Sequence, residues 1–330
     1  MRIAVTGASG NVGTALLRAL ADEPEVTSVV GIARRLPSAS FPKTEWTRAD
    51  VAEDDLRALF DGADCVVHLA WLIQPSHDRL TTWRANVLGS RRVFEAAAAV
   101  GVPALVHASS VGAYSRGPKS RAVDESWPTD GIRTSFYSRD KSDAERLLDE
   151  VEERHPELRV VRLRPSLIFQ RAMGTEVKRL FTGRWVPHRL VLPGRIPVVP
   201  DIPGLRFQVT HADDVADAYR RAIVSDARGA FNVAADPVLD PDALARLLGA
   251  RKVPVPAGLA RALVAATWRL HLQPTPEGWV DMALQTPLLD STRIRDELGW
   301  EPARAAGEAL LDLLHGFHDG AGVPTPPLRA

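Results

Sequence analysis

Cysteine is almost absent from this chain: among 330 residues only Cys65 carries a thiol. A lone thiol excludes an internal disulfide framework and any zinc site built from several cysteines. Its place in the apolar run Cys65-Val66-Val67-His68-Leu69-Ala70 reads as packing rather than reactivity. Net charge is also missing, because 41 Lys plus Arg are matched by 41 Asp plus Glu. Such a chain has no field to draw it to nucleic acid or to an anionic membrane. Long hydrophobic runs are absent too. The most apolar late stretch, 259–272, contains Arg261 and Arg269 and is too short to span a bilayer. The first residues already read as a strand, leaving no room for a signal peptide, so the expected location is the cytoplasm. His315 and His318 read as surface or packing residues, and no metal site is expected.

What is present is an ordinary globular balance, 45% hydrophobic and 25% charged, in a chain longer than one typical domain. Strand-like and helix-like segments alternate through the first half. Strands are expected near 3–5, 26–33, 65–70, 104–108 and 160–164, with helices near 54–60, 82–100 and 136–155. This alternation predicts an α/β fold, a parallel sheet doubly wound by helices on both faces. From Pro165 the texture changes, with five prolines at 187, 193, 197, 200 and 203. A smaller, loop-rich lobe is expected there. A helix near 215–224 and a strand near 230–233 return to the sheet, and the tail from Gly320, with Pro324, Pro326 and Pro327, is expected to be loosely held. The expected division is a dinucleotide-binding domain over 1–165, its sheet completed by 206–234, with the substrate lobe and tail in 166–205 and 235–330.

Two patterns carry chemistry. The run Thr6-Gly7-Ala8-Ser9-Gly10-Asn11-Val12-Gly13 follows the first strand and opens a helix. Strand, glycine turn and helix start make a cradle for a dinucleotide pyrophosphate, because free N–H groups point at the phosphates and no side chain blocks them. The second pattern is Tyr137-Ser138-Arg139-Asp140-Lys141. Residues four apart share one helix face, and a neighbouring ammonium lowers a phenol toward the working range of an acid–base catalyst. The strand before it ends in Ser109-Ser110-Val111-Gly112-Ala113-Tyr114, where ligands of open parallel sheets collect. A serine there can meet a substrate oxygen or cap the following turn.

Further segments agree in order and spacing: Asp50-Val51, His68-Leu69-Ala70, Asn86-Val87-Leu88-Gly89-Ser90, Leu163-Arg164-Pro165, His211-Ala212-Asp213-Asp214-Val215-Ala216 and Leu298-Gly299-Trp300-Glu301-Pro302. With these, nearly the whole chain resembles the extended short-chain dehydrogenase/reductase superfamily. More narrowly, it is similar to the NAD(P)-dependent epimerase/dehydratase family, with its Rossmann-type fold. The resemblance implies Tyr137 as general acid–base, Lys141 as ligand of the nicotinamide ribose, and Ser110 as the group that positions the substrate oxygen. It implies for Asn86 either support of the active-site helix and a relay water or a purely structural place. Gly7, Gly10, Asn11, Val12, Gly13, Asp50, Val51, Leu69, Ala70, Pro165, Tyr137 and Lys141 are implied as cofactor contacts. It also implies a homodimer built from the helices carrying Asn86 and Tyr137.

The second strand ends Gly31-Ile32-Ala33-Arg34-Arg35, and Ala33, 20 positions after Gly13, has no carboxylate for the ribose hydroxyls. Arg34 and Arg35 are suited to a 2′-phosphate, so NADP is expected in preference to NAD. Nucleotide-sugar members often carry an asparagine shortly after the Leu163-Arg164 strand, where this chain reads Pro165-Ser166-Leu167-Ile168-Phe169, and Arg206 stands one place out of the register of their R-D-[FW] motif. Trp71-Leu72-Ile73-Gln74-Pro75 is apolar and is expected either to border the substrate pocket or to lie under a loop. The expected activity is therefore carbonyl–alcohol interconversion on a small, partly apolar molecule. The alternatives are a nucleotide-sugar epimerase or dehydratase with tightly held NAD, and a non-catalytic cofactor-binding sensor.

Overall fold

The computed structural model describes residues 1–182 and 192–329. Seven strands form the central sheet: Arg2–Thr6 (β1), Ser28–Ala33 (β2), Thr44–Arg48 (β3), Cys65–His68 (β4), Ala104–Ala108 (β5), Arg159–Pro165 (β6) and Gly229–Val233 (β7). All pair in parallel, in the order β7-β6-β5-β4-β1-β2-β3. The order reverses between β1 and β4, which opens a crevice at their carboxyl ends where Thr6 pairs with His68.

Alternate residues of each strand feed two cores, as a period of two requires. Ile3, Val5, Cys65, Val67 and Val106 pack into one, with Leu16, Leu17 and Leu20 of helix Asn11–Ala21 (α1) and Val215 and Tyr219 of helix Ala212–Val224. Ala4, Val66 and Leu105 pack into the other, with Val93 and Phe94 of helix Gly89–Ala99 (α2) and Leu148 and Val151 of helix Phe136–Arg154 (α3). Apolar residues on both sides explain why these strands read as continuous hydrophobic runs. The Cys65 thiol is buried among them, and burial pushes it up to about 12.

Several elements differ from expectation. Strand β3 has no apolar run to announce it, being a polar edge strand whose Trp46 ring fills the space over Gly31. The helix expected over 54–60 is reduced to Arg57–Phe60. The one expected over 82–100 consists of Arg79–Trp83, a π-helical turn Arg84–Leu88, and α2. The region after β7, expected to be loop-rich, holds helices Pro241–Leu248, Ala257–Arg269, Gly278–Gln285, Thr292–Leu298 and Ala306–Asp319. The tail is not loosely held: Thr325 and Leu328 are fully buried. Pro187 lies outside the described residues. No helix among the described residues is long and apolar enough to cross a membrane, and none of their His, Cys, Asp and Glu side chains form a group that could hold a metal ion.

Candidate active site

The carboxyl ends of the strands open into a cavity of about 620 Å³. Its floor is the turn between β1 and α1. Gly7 has φ +71°, and a Cβ there would fall 2.6 Å from the backbone nitrogen of Ala70. A Cβ on Gly13 would fall 2.5 Å from the Ala8 carbonyl oxygen. Only glycine fits either place. Gly10 precedes α1 with no capping side chain, and the first turn holds no acidic residue. Its amides and dipole are thus left to an anion, and the cradle fits a dinucleotide pyrophosphate. Gly7, Gly10, Asn11, Val12 and Gly13 all line the cavity.

The expected cofactor residues converge on the same space. Arg34 and Arg35 line it where β2 ends, and Asp50 and Val51 where β3 ends. Arg34 Nη1 stands 3.9 Å from Asp50 Oδ2, while Asp50 Oδ1 accepts from the Ala52 amide at 3.0 Å. Leu69, Ala70 and Pro165 line the cavity beyond β4 and at the end of β6.

Ser110, Tyr137 and Lys141 also meet there. The Ser110 hydroxyl accepts from the Gly112 amide at 3.0 Å, so it caps the turn while facing the cavity. Tyr137 is the second residue of α3, in the first turn behind the Ser135 cap. Burial pushes its phenol above the ordinary value, and a hydrogen bond with Ser110 pulls the other way. The expected lowering by Lys141 is not what dominates. Lys141 Nζ donates to the Ala108 carbonyl at 2.7 Å and stands 3.4 Å from the centre of the Trp71 ring, against 5.9 Å for the Tyr137 ring. Burial lowers this ammonium to about 7, although the carboxylates of Glu145 and Asp140 favour its charge.

Asn86 is the one expected site residue that does not reach the cavity. It is fully buried in the π-helical turn. Its amide accepts from the Leu72 N–H at 2.7 Å, donates to the Leu72 carbonyl at 2.9 Å and lies 3.4 Å from Asp140 Oδ2. It fixes the segment after β4, and with it Trp71. Gln74 ties that segment to the other side, donating to the Leu180 and Pro274 carbonyls at 2.9 Å each.

Trp71 to Gln74 border the cavity, one of the two places expected for that segment, but sequence reasoning did not anticipate Trp279 and Phe181 in the wall beside Tyr137. The Trp279 ring packs 4.9 Å from Tyr137, and Phe181 packs edge-on 5.1 Å from Trp279. Trp71 approaches Tyr137 edge-on at 6.0 Å. Trp279 and Met282, three apart in one helix, were the only local signal. Glu176 and Arg179 are charged exceptions in this apolar wall: burial pushes the Glu176 carboxyl up to about 7, against the Arg179 guanidinium 3.9 Å away. Arg206 does not line this cavity. It borders a smaller crevice of about 280 Å³ and donates to the Lys119 carbonyl at 2.7 Å.

Beneath the site, Glu145 accepts from Arg164 at 2.8 and 3.0 Å and from Arg162 at 3.0 Å, all three being buried. Ser109 donates to the same carboxylate, which joins the turn bearing Ser110 to the helix bearing Tyr137.

Residues 3–234 match the profile of the NAD dependent epimerase/dehydratase family. The chain belongs to that family. Its relatives include an uncharacterized protein of Mycobacterium tuberculosis, Rv0501, 26% identical over 95% of this chain and 83% of its own length. The L-arabinose 1-dehydrogenase (NAD(P)(+)) of Haloferax volcanii is 38% identical, but over only 33% of this chain and 41% of its own. Among solved structures, the UDP-glucuronic acid 4-epimerase of Bacillus cereus in complex with NAD superposes with a TM-score of 0.70 at 19% identity, covering 97% of this chain and 99% of that one. The UDP-N-acetylglucosamine 4-epimerase of Methanobrevibacter ruminantium gives 0.71 at 19%, covering 97% and 98%. Likeness at these identities establishes the Rossmann-type fold of the epimerase/dehydratase family.

Proposed function

We propose that this family member is an NADP-preferring oxidoreductase that interconverts a carbonyl and an alcohol on a small, partly apolar substrate. The observation that carries this reading is the wall of Trp71, Phe181 and Trp279 around Tyr137, with Arg206 turned away to Lys119. Aromatic faces desolvate an apolar carbonyl compound well and carry no charge for a diphosphate, and the Arg179 guanidinium of the same cavity stands 3.9 Å from the Glu176 carboxyl. Arg34 and Arg35, with Ala33 where a carboxylate would select ribose hydroxyls, support a 2′-phosphate.

The dinucleotide, when bound, supplies hydride transfer; the protein supplies position and protons. Glycines 7, 10 and 13 and the α1 amides hold its pyrophosphate. Lys141 has N–H groups beyond the one at Ala108 for the ribose hydroxyls. Ser110 holds the substrate oxygen, and the Tyr137 phenol gives that oxygen a proton in one direction and takes it back in the other. The substrate side is assigned to 166–205 and 235–330. The protein is taken to work in the cytoplasm as a homodimer, for which Leu80 and Trp83, 54% and 38% exposed on the helix before Asn86, supply apolar surface.

The test is consumption of NADPH and of NADH over a panel of aromatic and aliphatic ketones and aldehydes. Turnover with NADPH on at least one class supports the reading; no turnover with any sinks it. Conversion of a UDP-sugar without net change in cofactor would establish the second reading, epimerisation or dehydration with NAD retained, which the family and the fold relatives favour. A sensor without turnover is disfavoured by the meeting of Ser110, Tyr137 and Lys141 in one cavity.

A further inference from the structure

The tail does more than end the chain. Pro326 and Pro327 line the same cavity as the glycine turn and Arg34. Thr325 and Leu328, on either side of them, are fully buried and act as anchors. The segment is folded on itself, the Val323 amide donating to the Leu328 carbonyl at 3.0 Å and the Leu328 amide to the Thr325 carbonyl at 3.0 Å. It is also held from both lips of the cavity. On the nucleotide-binding side, the Ser38 hydroxyl, four residues past Arg34, donates to the Pro324 carbonyl at 3.4 Å. On the lobe side, Arg179 Nη2 donates to the Pro327 carbonyl at 2.7 Å, and the Thr175 hydroxyl to the Ala321 carbonyl at 3.3 Å.

We infer that residues 321–329 form a strap closed across the dinucleotide site, latched to the lobe by Arg179, and that its opening sets the rate at which cofactor leaves. The physical grounds are the bridging contacts and the proline pair. Prolines lose little backbone freedom when ordered, so two of them make a stiff wall at small entropic cost. The Ser38 and Arg179 latch bonds lie at the surface and are individually weak, so the strap opens by releasing Thr325 and Leu328 without unfolding the sheet. Arg179 is half exposed, its guanidinium 3.9 Å from Glu176, and it borders the cavity itself while holding the strap. This inference rests on the cavity being the cofactor site, and it is independent of which reaction follows.

The experiment first measures equilibrium binding of NADPH and NADH by fluorescence. If neither binds, the cofactor reading fails and the strap fails with it. If one binds, its release is timed by chase with excess oxidised cofactor. In Ser38→Cys with Pro324→Cys, oxidation ties the strap to the nucleotide-binding lip, and buried Cys65 is the sole native thiol to compete. Protein loaded before oxidation should release cofactor at least tenfold more slowly than its reduced form. Arg179→Ala, and a chain ending at Gly320, should release it at least tenfold faster. Oxidising the cysteine pair in the Arg179→Ala background should restore release as slow as in the crosslinked protein with Arg179 intact, whereas a lost direct contact between Arg179 and cofactor would leave the crosslinked variant faster. Should the shortened chain fail to fold, the crosslink and Arg179→Ala decide. Release rates within twofold of the parent in both would overturn the inference.

Discussion

The Lys141 ammonium stands 3.4 Å from the centre of the Trp71 ring while one of its hydrogens is given to the Ala108 carbonyl. A buried cation over an indole face is stabilised by the ring quadrupole, yet burial still lowers this lysine to about 7. The ammonium therefore predominates below about pH 7 and the neutral amine above it. If the charged form holds the ribose hydroxyls, cofactor affinity should weaken as pH rises through that value, by up to about tenfold per pH unit. Fluorescence titration between pH 6 and 9 measures it. Lys141→Arg, charged throughout, should flatten the profile, and a flat profile in the parent protein would refute the assignment.

Tyr137 is the proposed proton carrier, and its phenol is already raised by burial. Tyr137→Phe keeps the ring that packs on Trp279 and removes the hydroxyl that carries the proton. Turnover should fall by about 10²–10⁴-fold, the usual worth of a positioned acid–base group, with cofactor affinity unchanged within about twofold. Unchanged turnover would exclude the mechanism.

Arg34 lines the cavity and, among the described residues, is held by a 3.9 Å approach to Asp50. A charge-assisted bond to a 2′-phosphate is worth about 1.5–3 kcal/mol, so Arg34→Ala should weaken NADPH binding by about 10–100-fold and leave NADH nearly unaffected. Ala33→Asp should shift preference toward NADH. Equal loss for the two cofactors in Arg34→Ala would argue against NADP selection.

Glu145 bears on stability. Burial alone would raise its carboxyl, but Arg164 and Arg162, with Ser109, overcome it and hold the group at about 2. A carboxylate depressed in the folded state stabilises above its unfolded value near 4.5, and that stability is lost as pH falls from there toward 2. Glu145→Gln leaves Arg164 buried with an uncharged partner, while Arg162 keeps Asp149 and Glu152, at a cost of about 3–5 kcal/mol. Chemical denaturation at pH 7 and at pH 3 measures this, and the gap between parent and variant should narrow in acid.

Much of the site was legible locally. Gly7, Gly10 and Gly13 fall on a turn whose contacts depend on missing side chains, and Tyr137 and Lys141 share a helix face because the helix repeat puts them there. Ser110 was legible as both cap and cavity residue, since both follow from its place at the end of β5. Asn86 was not: its motif marked it, but only the π-helical turn shows that its amide serves Leu72 rather than the cavity. Strand β3 was invisible because an edge strand needs no apolar alternation once its neighbour supplies the register.

By itself, the sequence determined the alternating α/β order, the anion cradle, and the charge and thiol economy that excluded other classes. Each of these depends on residues within a turn or two of one another. Only the tertiary structure decided that Trp279 packs on Tyr137 and Phe181 on Trp279, that Arg206 turns to Lys119, and that Pro326 and Pro327 line the same cavity as Gly7. Those contacts join residues scores to hundreds of positions apart, where no periodicity or spacing survives, and packing alone chooses the partner.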